Sequence, residues 1–200
     1  MSGGEQTLWH FRRLTRPEWT TLYYEQMERD FPPSELKPLE LLATLEDRGV
    51  NTLWGAYWGE TLTGYYVLAQ APGNPALLLD YLAVLPQFRG TGFGGEILRH
   101  LRQTLPEGCY LLIESEDPQG AANPADLSIR ERRVAFYRRN GAALSSVTVW
   151  LFGVEYVLLT LGAAPSAEQT SADYQALYRH MLPEDRFRDN VCVRTQRDTL

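Results

Sequence analysis

Apolar positions change their period several times along the chain, and the changes mark out elements. Leu8 to Leu14 mixes aromatic and apolar residues with arginine, which predicts a first strand. Thr15 followed by Pro17-Glu18 is a helix start, a capping residue with proline in the first turn. That helix should run to about Arg29, where Phe31-Pro32-Pro33 breaks it. Ser34, with Lys37 and Pro38 beyond it, opens a second helix that ends near Gly49. Thr52 to Trp58 and Thr61 to Gln70 are β-rich runs joined at Gly59-Glu60, a hairpin pattern. Leu77 to Leu85 is almost continuously apolar, interrupted by Asp80 and Tyr81, as in a central strand buried on both faces.

A glycine-rich stretch follows, and a helix from about Gly92 to Leu105 carries Ile97, Leu98 and Leu101 at helical spacing. Tyr110 to Ile113 is a second buried strand, continued by Glu114-Ser115-Glu116-Asp117. Pro118 to Asp126 reads as a polar loop, Ser128 to Asn140 as a helix stopped by Gly141, and Leu144 to Leu161 as a hairpin about Gly153. A small-residue linker over 162–169, a helix from about Ser171 to Met181 and a polar tail complete the chain. The order β-α-α-β-β-β-α-β-α-β-β plus a C-terminal helix predicts an α/β (mixed α+β) fold. Residues 1–165 are expected to form one domain, with 166–200 packed on it as a helix and tail.

Charge and rare residues remove several classes of function. The net charge is -6, from 19 basic and 25 acidic residues, and no long basic block exists, which counts against a nucleic-acid partner. Cys109, Cys192, His10, His100 and His180 are scattered and match no metal-ligand spacing, so no metal is expected. No apolar run approaches the roughly 20 residues of a membrane helix, and no secretory leader is visible. The expectation is a cytoplasmic protein with no membrane partner, a monomer or a homodimer.

Chemistry concentrates at Gly90-Thr91-Gly92-Phe93-Gly94-Gly95, between a strand and a helix. Glycines let backbone approach a ligand closely, and the unpaired amides of a helix start favour phosphate. Two ligands fit this pattern. Gly90-x-Gly92-x-x-Gly95 satisfies the dinucleotide fingerprint, with Glu114 placed like the acid that holds a ribose, which would make the chain an NAD-type oxidoreductase. Against that, Pro86-Gln87-Phe88-Arg89 intervenes after the strand, and nothing beyond Ile113 continues a βαβ series.

Val84-Leu85-Pro86-Gln87-Phe88-Arg89-Gly90-Thr91-Gly92 resembles the signature of the GNAT superfamily of N-acetyltransferases, an apolar strand ending Val-x-Pro and then Gln/Arg-x-x-Gly-x-Gly/Ala. Ala135-Phe136-Tyr137-Arg138-Arg139-Asn140-Gly141-Ala142 resembles the family's Phe-Tyr-x-x-x-Gly-Phe segment, with Ala142 in place of the last Phe. The resemblance covers roughly residues 8 to 160 and looks like an uncharacterised bacterial branch. It implies a splayed sheet of about seven strands. Acetyl-CoA would be wedged with its pantetheine arm along Leu82, Ala83 and Val84 and its pyrophosphate on Gln87, Phe88 and the backbone of Arg89 to Gly95. It also implies that Tyr137 points at the coenzyme A sulfur as a general acid.

Direct transfer of acetyl to an amine further requires a neutral nucleophile, hence a base. Asp80 is the only charged residue in the strand that leads to the glycine loop, and a carboxylate in an apolar run is costly unless used or paired. Glu114 and Glu116 share one face of the next strand and could bind a cationic amine, and Phe31 begins the loop where the family places its acceptor lid. A small-molecule or peptide amine is the expected substrate. A non-catalytic acyl-CoA-binding module is the alternative outside enzymology.

Overall fold

The computed structural model describes residues 9–33 and 35–195. Strands β1 (Trp9–Arg13), β2 (Asn51–Trp58), β3 (Thr61–Gln70), β4 (Ala76–Val84), β5 (Tyr110–Glu116), β6 (Ala143–Leu151), β7 (Val154–Gly162) and β8 (Val191–Thr195) form one hydrogen-bonded sheet in the order β1-β2-β3-β4-β5-β7-β6-β8. The α/β class expected from the pattern is the one observed, with eight strands where about seven were expected. Chain contacts divide the protein into two compact units, residues 1–68 with 81–97, and 69–80 with 98–200.

In the first unit, α1 (Arg16–Leu22) runs through a π-helical stretch over Tyr23–Met27 into the short α2 (Glu28–Asp30). Its start is held by Glu18, which accepts from the backbone N–H of Thr15 at 2.8 Å and from Arg12 at 2.7 Å. Trp19, Leu22, Tyr23 and Met27 bury one face against Leu42 of α3 (Leu39–Asp47) and against Leu53, Tyr65 and Tyr81 of the sheet. The expected second helix begins later than read. Its proposed start, Ser34, lies outside the described residues. Pro38 is the N-cap, because proline has no N–H to give to a preceding turn and its φ of -53° suits a helix entrance.

In the second unit, β4 and β5 run parallel through only three recorded pairs, Ala76↔Tyr110, Leu77↔Leu111 and Leu78↔Leu112. Both strands continue past that point. On its other edge β5 keeps a seven-residue antiparallel register with β7, from Tyr110↔Gly162 to Glu116↔Tyr156. Helix α5 spans Pro124–Arg139, four residues earlier than the pattern indicated. Asn123 caps it by accepting from the amides of Ala125 and Asp126, and Pro124 fills the first helical position. Helix α6 (Ala167–Met181) starts within the expected linker because Ser166 caps it. Thr170, Asp173, Tyr174, Leu177, Tyr178 and Met181 form its buried stripe, at helical spacing. The supposed polar tail contains α7 (Glu184–Asn190) and β8, which pairs with β6 from Val191↔Leu151 to Thr195↔Val147.

Candidate active site

The glycine loop lies in the first unit, where α4 (Phe93–Thr104) begins. Gly90 and Gly92 have φ of 79° and 89°, values L side chains rarely adopt, and open space surrounds both Cα positions. Gly95 has spent its N–H on the carbonyl of Gly92 at 2.9 Å. Among the described residues, nothing accepts a hydrogen bond from the amides of Gly90, Thr91, Gly92, Phe93 or Gly94. Five consecutive donors at the positive end of a helix suit a multiply charged anion such as a diphosphate.

The underside of the loop is pinned. Thr91 Oγ1 donates to the carbonyl of Phe88 at 2.5 Å, and the Phe88 ring stacks on Phe93 at 5.6 Å. Phe93 also meets Trp9 edge-on at 4.7 Å and Trp58 at 6.2 Å. Gln87 is exposed. Arg89 donates through Nε to the carbonyl of Val84 at 3.0 Å and through Nη2 to Asp30 at 2.5 Å. The second oxygen of Asp30 accepts from the Tyr65 hydroxyl at 2.7 Å, and burial together with this carboxylate pushes the Tyr65 hydroxyl far above the usual phenol range. The side chain of Asp30 is only 6% exposed. Sequence reasoning missed Asp30, since only the folded chain brings it 59 residues back to Arg89.

Leu82 and Val84 of β4 are half-buried and Ala83 is buried. Gly64 lies so close that a Cβ there would meet the Ala83 carbonyl at 2.7 Å. Phe31 packs edge-on against Tyr81 at 4.8 Å. The Tyr81 hydroxyl accepts from the Lys37 amide at 2.9 Å and donates to the Glu35 carbonyl at 2.8 Å, so β4 holds the backbone at these two residues.

The remaining candidates lie in the second unit. Tyr137 sits on α5, half-buried, with its ring edge-on to Phe136 at 5.2 Å. Burial pushes its hydroxyl up to about 12, and the nearby Arg133 opposes the shift. Asp80 follows Leu78 by two residues and Glu114 follows Leu112 by two, so strand alternation turns both carboxylates to one face of the sheet. There Glu114 Oε1 accepts from the hydroxyls of Tyr174 at 2.6 Å and Tyr178 at 2.7 Å. Glu116 behaves differently. Arg130 and Arg133 hold it at 3.2 and 3.3 Å, and its charge is already balanced within the protein. The structure therefore separates the two glutamates that the sequence treated as a pair.

The Acetyltransferase (GNAT) family model matches residues 9–142, two motifs included. Among solved structures, one from Bacteroides thetaiotaomicron assigned to the GNAT family superimposes with a TM-score of 0.63 at 22% identity, covering 86% of this chain and 95% of that one. The ribosomal-protein-S18-alanine N-acetyltransferase of Escherichia coli gives 0.55 at 16% identity, over 78% and 96%. A Bacillus subtilis acetyltransferase in complex with CoA gives 0.51 at 15%, over 78% and 98%. No curated protein sequence matches the chain. At these identities the superpositions establish the fold, and the family match sets aside the dinucleotide reading of the glycines. The bonded Gly95 amide and the antiparallel β7 beside β5 agree with that outcome. A glycine loop with five open amides at the head of a helix and the matched 9–142 region lead to one assignment: this chain belongs to the GNAT acetyltransferase family.

Proposed function

We propose that the protein is an acetyl-CoA-dependent N-acetyltransferase that moves an acetyl group directly to a primary amine of a small molecule or peptide. The observation that carries this reading is the row of open amides from Gly90 to Gly94 at the head of α4. Those amides, with the α4 dipole, would hold the diphosphate of coenzyme A, and Leu82 to Val84 would pair with its pantetheine arm. Bound acetyl-CoA supplies the acetyl group as an activated thioester.

The chain's own residues then handle protons. Asp80 takes the proton that the attacking amine loses, directly or through a water, so that the nitrogen reaches the carbonyl carbon neutral. Tyr137 would hold its hydroxyl proton for the thiolate leaving group. A positioned acid or base of this kind contributes about 10²–10⁴-fold. The raised Tyr137 hydroxyl keeps its proton at neutral pH. Glu114 would face the acceptor and favour a cationic amine. Transfer would be direct, without an acyl carrier on the protein. Residues 1–165 would carry the acetyltransferase domain, with the C-terminal segment packed on it.

The test is a thiol-release screen of purified protein with acetyl-CoA against a broad amine panel. Amine-dependent thiol release with an acetylated product supports the reading. Acetyl-CoA binding without turnover on any amine would instead support a non-catalytic acyl-CoA-binding module.

A further inference from the structure

We infer that Tyr174 and Tyr178 of α6 are positioning residues that aim Glu114 at the acceptor amine, which makes a helix outside the family-matched region a working part of the acceptor site. The inference rests on the N-acetyltransferase reading above. Helix α6 begins at Ala167, beyond the matched residues 9–142.

Four residues apart, the two tyrosines lie on one helix face. Their rings stack at 4.6 Å with an interplanar angle of 28°, and they are 0% and 3% exposed. Both hydroxyl protons go to the same oxygen, Glu114 Oε1, at 2.6 and 2.7 Å. Two donors on one oxygen fix the carboxylate plane, and with it the direction of the other oxygen. Hydrogen bonds of this kind to an ionised group are short and roughly twice as strong as neutral ones.

The helix that carries the pair is itself anchored on the same strand. Tyr110, four residues before Glu114 on β5, donates to Asp173 at 2.7 Å, and Asn74 donates to the Asp173 carbonyl at 2.8 Å. Asp173 is adjacent to Tyr174, so a shift of α6 along the sheet would break both attachments. Burial and then the Glu114 charge raise the hydroxyls of Tyr174 and Tyr178 well above the usual phenol range, so they remain donors across working pH.

Several charged and titratable groups surround Glu114. Tyr174 and Tyr178 face it from α6, and Asp80 on β4 acts electrostatically on Tyr178. Tyr156 of β7 acts on Tyr174, and Glu116, two residues along β5, is tied to Arg130 and Arg133 of α5. Asp80 and Glu114 are thus like charges on one sheet face, with the Tyr178 hydroxyl committed to Glu114.

Tyr174→Phe, Tyr178→Phe and the double variant keep both rings and remove only the hydroxyls. The wild type and variants are compared in thiol release with acetyl-CoA and the best amine of the panel, as KM and kcat for the amine and as the pH profile of kcat/KM. Each Phe variant is expected to raise the amine KM about tenfold with little change in acetyl-CoA affinity. A carboxylate that loses a donor to its ionised form protonates more easily, so the acid limb should move up by about one pH unit. Variants with wild-type amine KM and an unmoved acid limb would overturn the inference, even if their melting temperatures fall. A wild type that releases no thiol with any amine would overturn the proposed function instead, and the inference with it.

Discussion

A Gly92→Ala substitution should weaken acetyl-CoA binding about 5- to 150-fold while leaving the fold in place. Gly92 has φ of 89°, and a Cβ built there meets no atom within 4 Å. The cost is therefore backbone strain alone, about 1–3 kcal/mol for a non-glycine residue in such a region. Because Gly92 is exposed, the loop can escape the strain by leaving its ligand-ready conformation without unfolding the rest. Apparent affinity then falls by the fraction of molecules that keep that conformation, at about 1.4 kcal/mol for each factor of ten. Calorimetric titration with acetyl-CoA reads the affinity, and thermal denaturation checks that the melting temperature moves by less than about 3 °C. Gly59→Ala is the control, with φ of 56° and equally open space, but in the β2–β3 turn. Unchanged acetyl-CoA affinity in Gly92→Ala, or an equal loss in Gly59→Ala, would refute the claim that the 90–94 amides hold the diphosphate.

Other consequences can be measured in parallel. Tyr137→Phe should lower kcat about 10²-fold or more with a small change in KM, and the same variant with wild-type kcat would remove Tyr137 as the acid. With its hydroxyl at about 12 against an ordinary 10.0, Tyr137 holds its proton below pH 10, so the wild-type profile should show no alkaline loss from this group at pH 8–10. The same raised value stabilises the fold fully below pH 10, and that contribution is lost as pH rises through about 12. Asp80→Asn should cut kcat/KM about 10²-fold; a variant with wild-type kcat/KM would assign the base elsewhere. Asp30→Ala leaves the Tyr65 hydroxyl buried without its acceptor, a cost of about 1–3 kcal/mol and a melting-temperature fall of about 3–10 °C.

Much of the architecture was readable because it depends on local chemistry. The hairpin at Gly59-Glu60, the apolar run ending in Val84, and the glycines at the head of a helix are short-range signals, and the structure realises each of them. Boundaries failed where a cap outweighed composition. Asn123-Pro124 and Ser166 started helices inside segments read as loop and linker, and Pro38 delayed one. The eighth strand was missed because Val191–Thr195 is short and gains its backbone partners only from β6.

The sequence by itself determined the element order as far as α6, the glycine loop at the head of a helix, and the choice of Asp80, Tyr137 and the two glutamates as the residues worth testing. Those are properties of residue types at fixed spacings, and they survive without a partner in space. Tertiary structure alone decided which charged groups meet which partners. It tied Arg89 to Asp30, closed Glu116 with Arg130 and Arg133, and set two α6 tyrosines on Glu114. Each of those outcomes joins groups separated by 14 to 64 residues in the chain. A hydrogen bond between such distant positions leaves no periodicity to read, because only folding brings its two ends together.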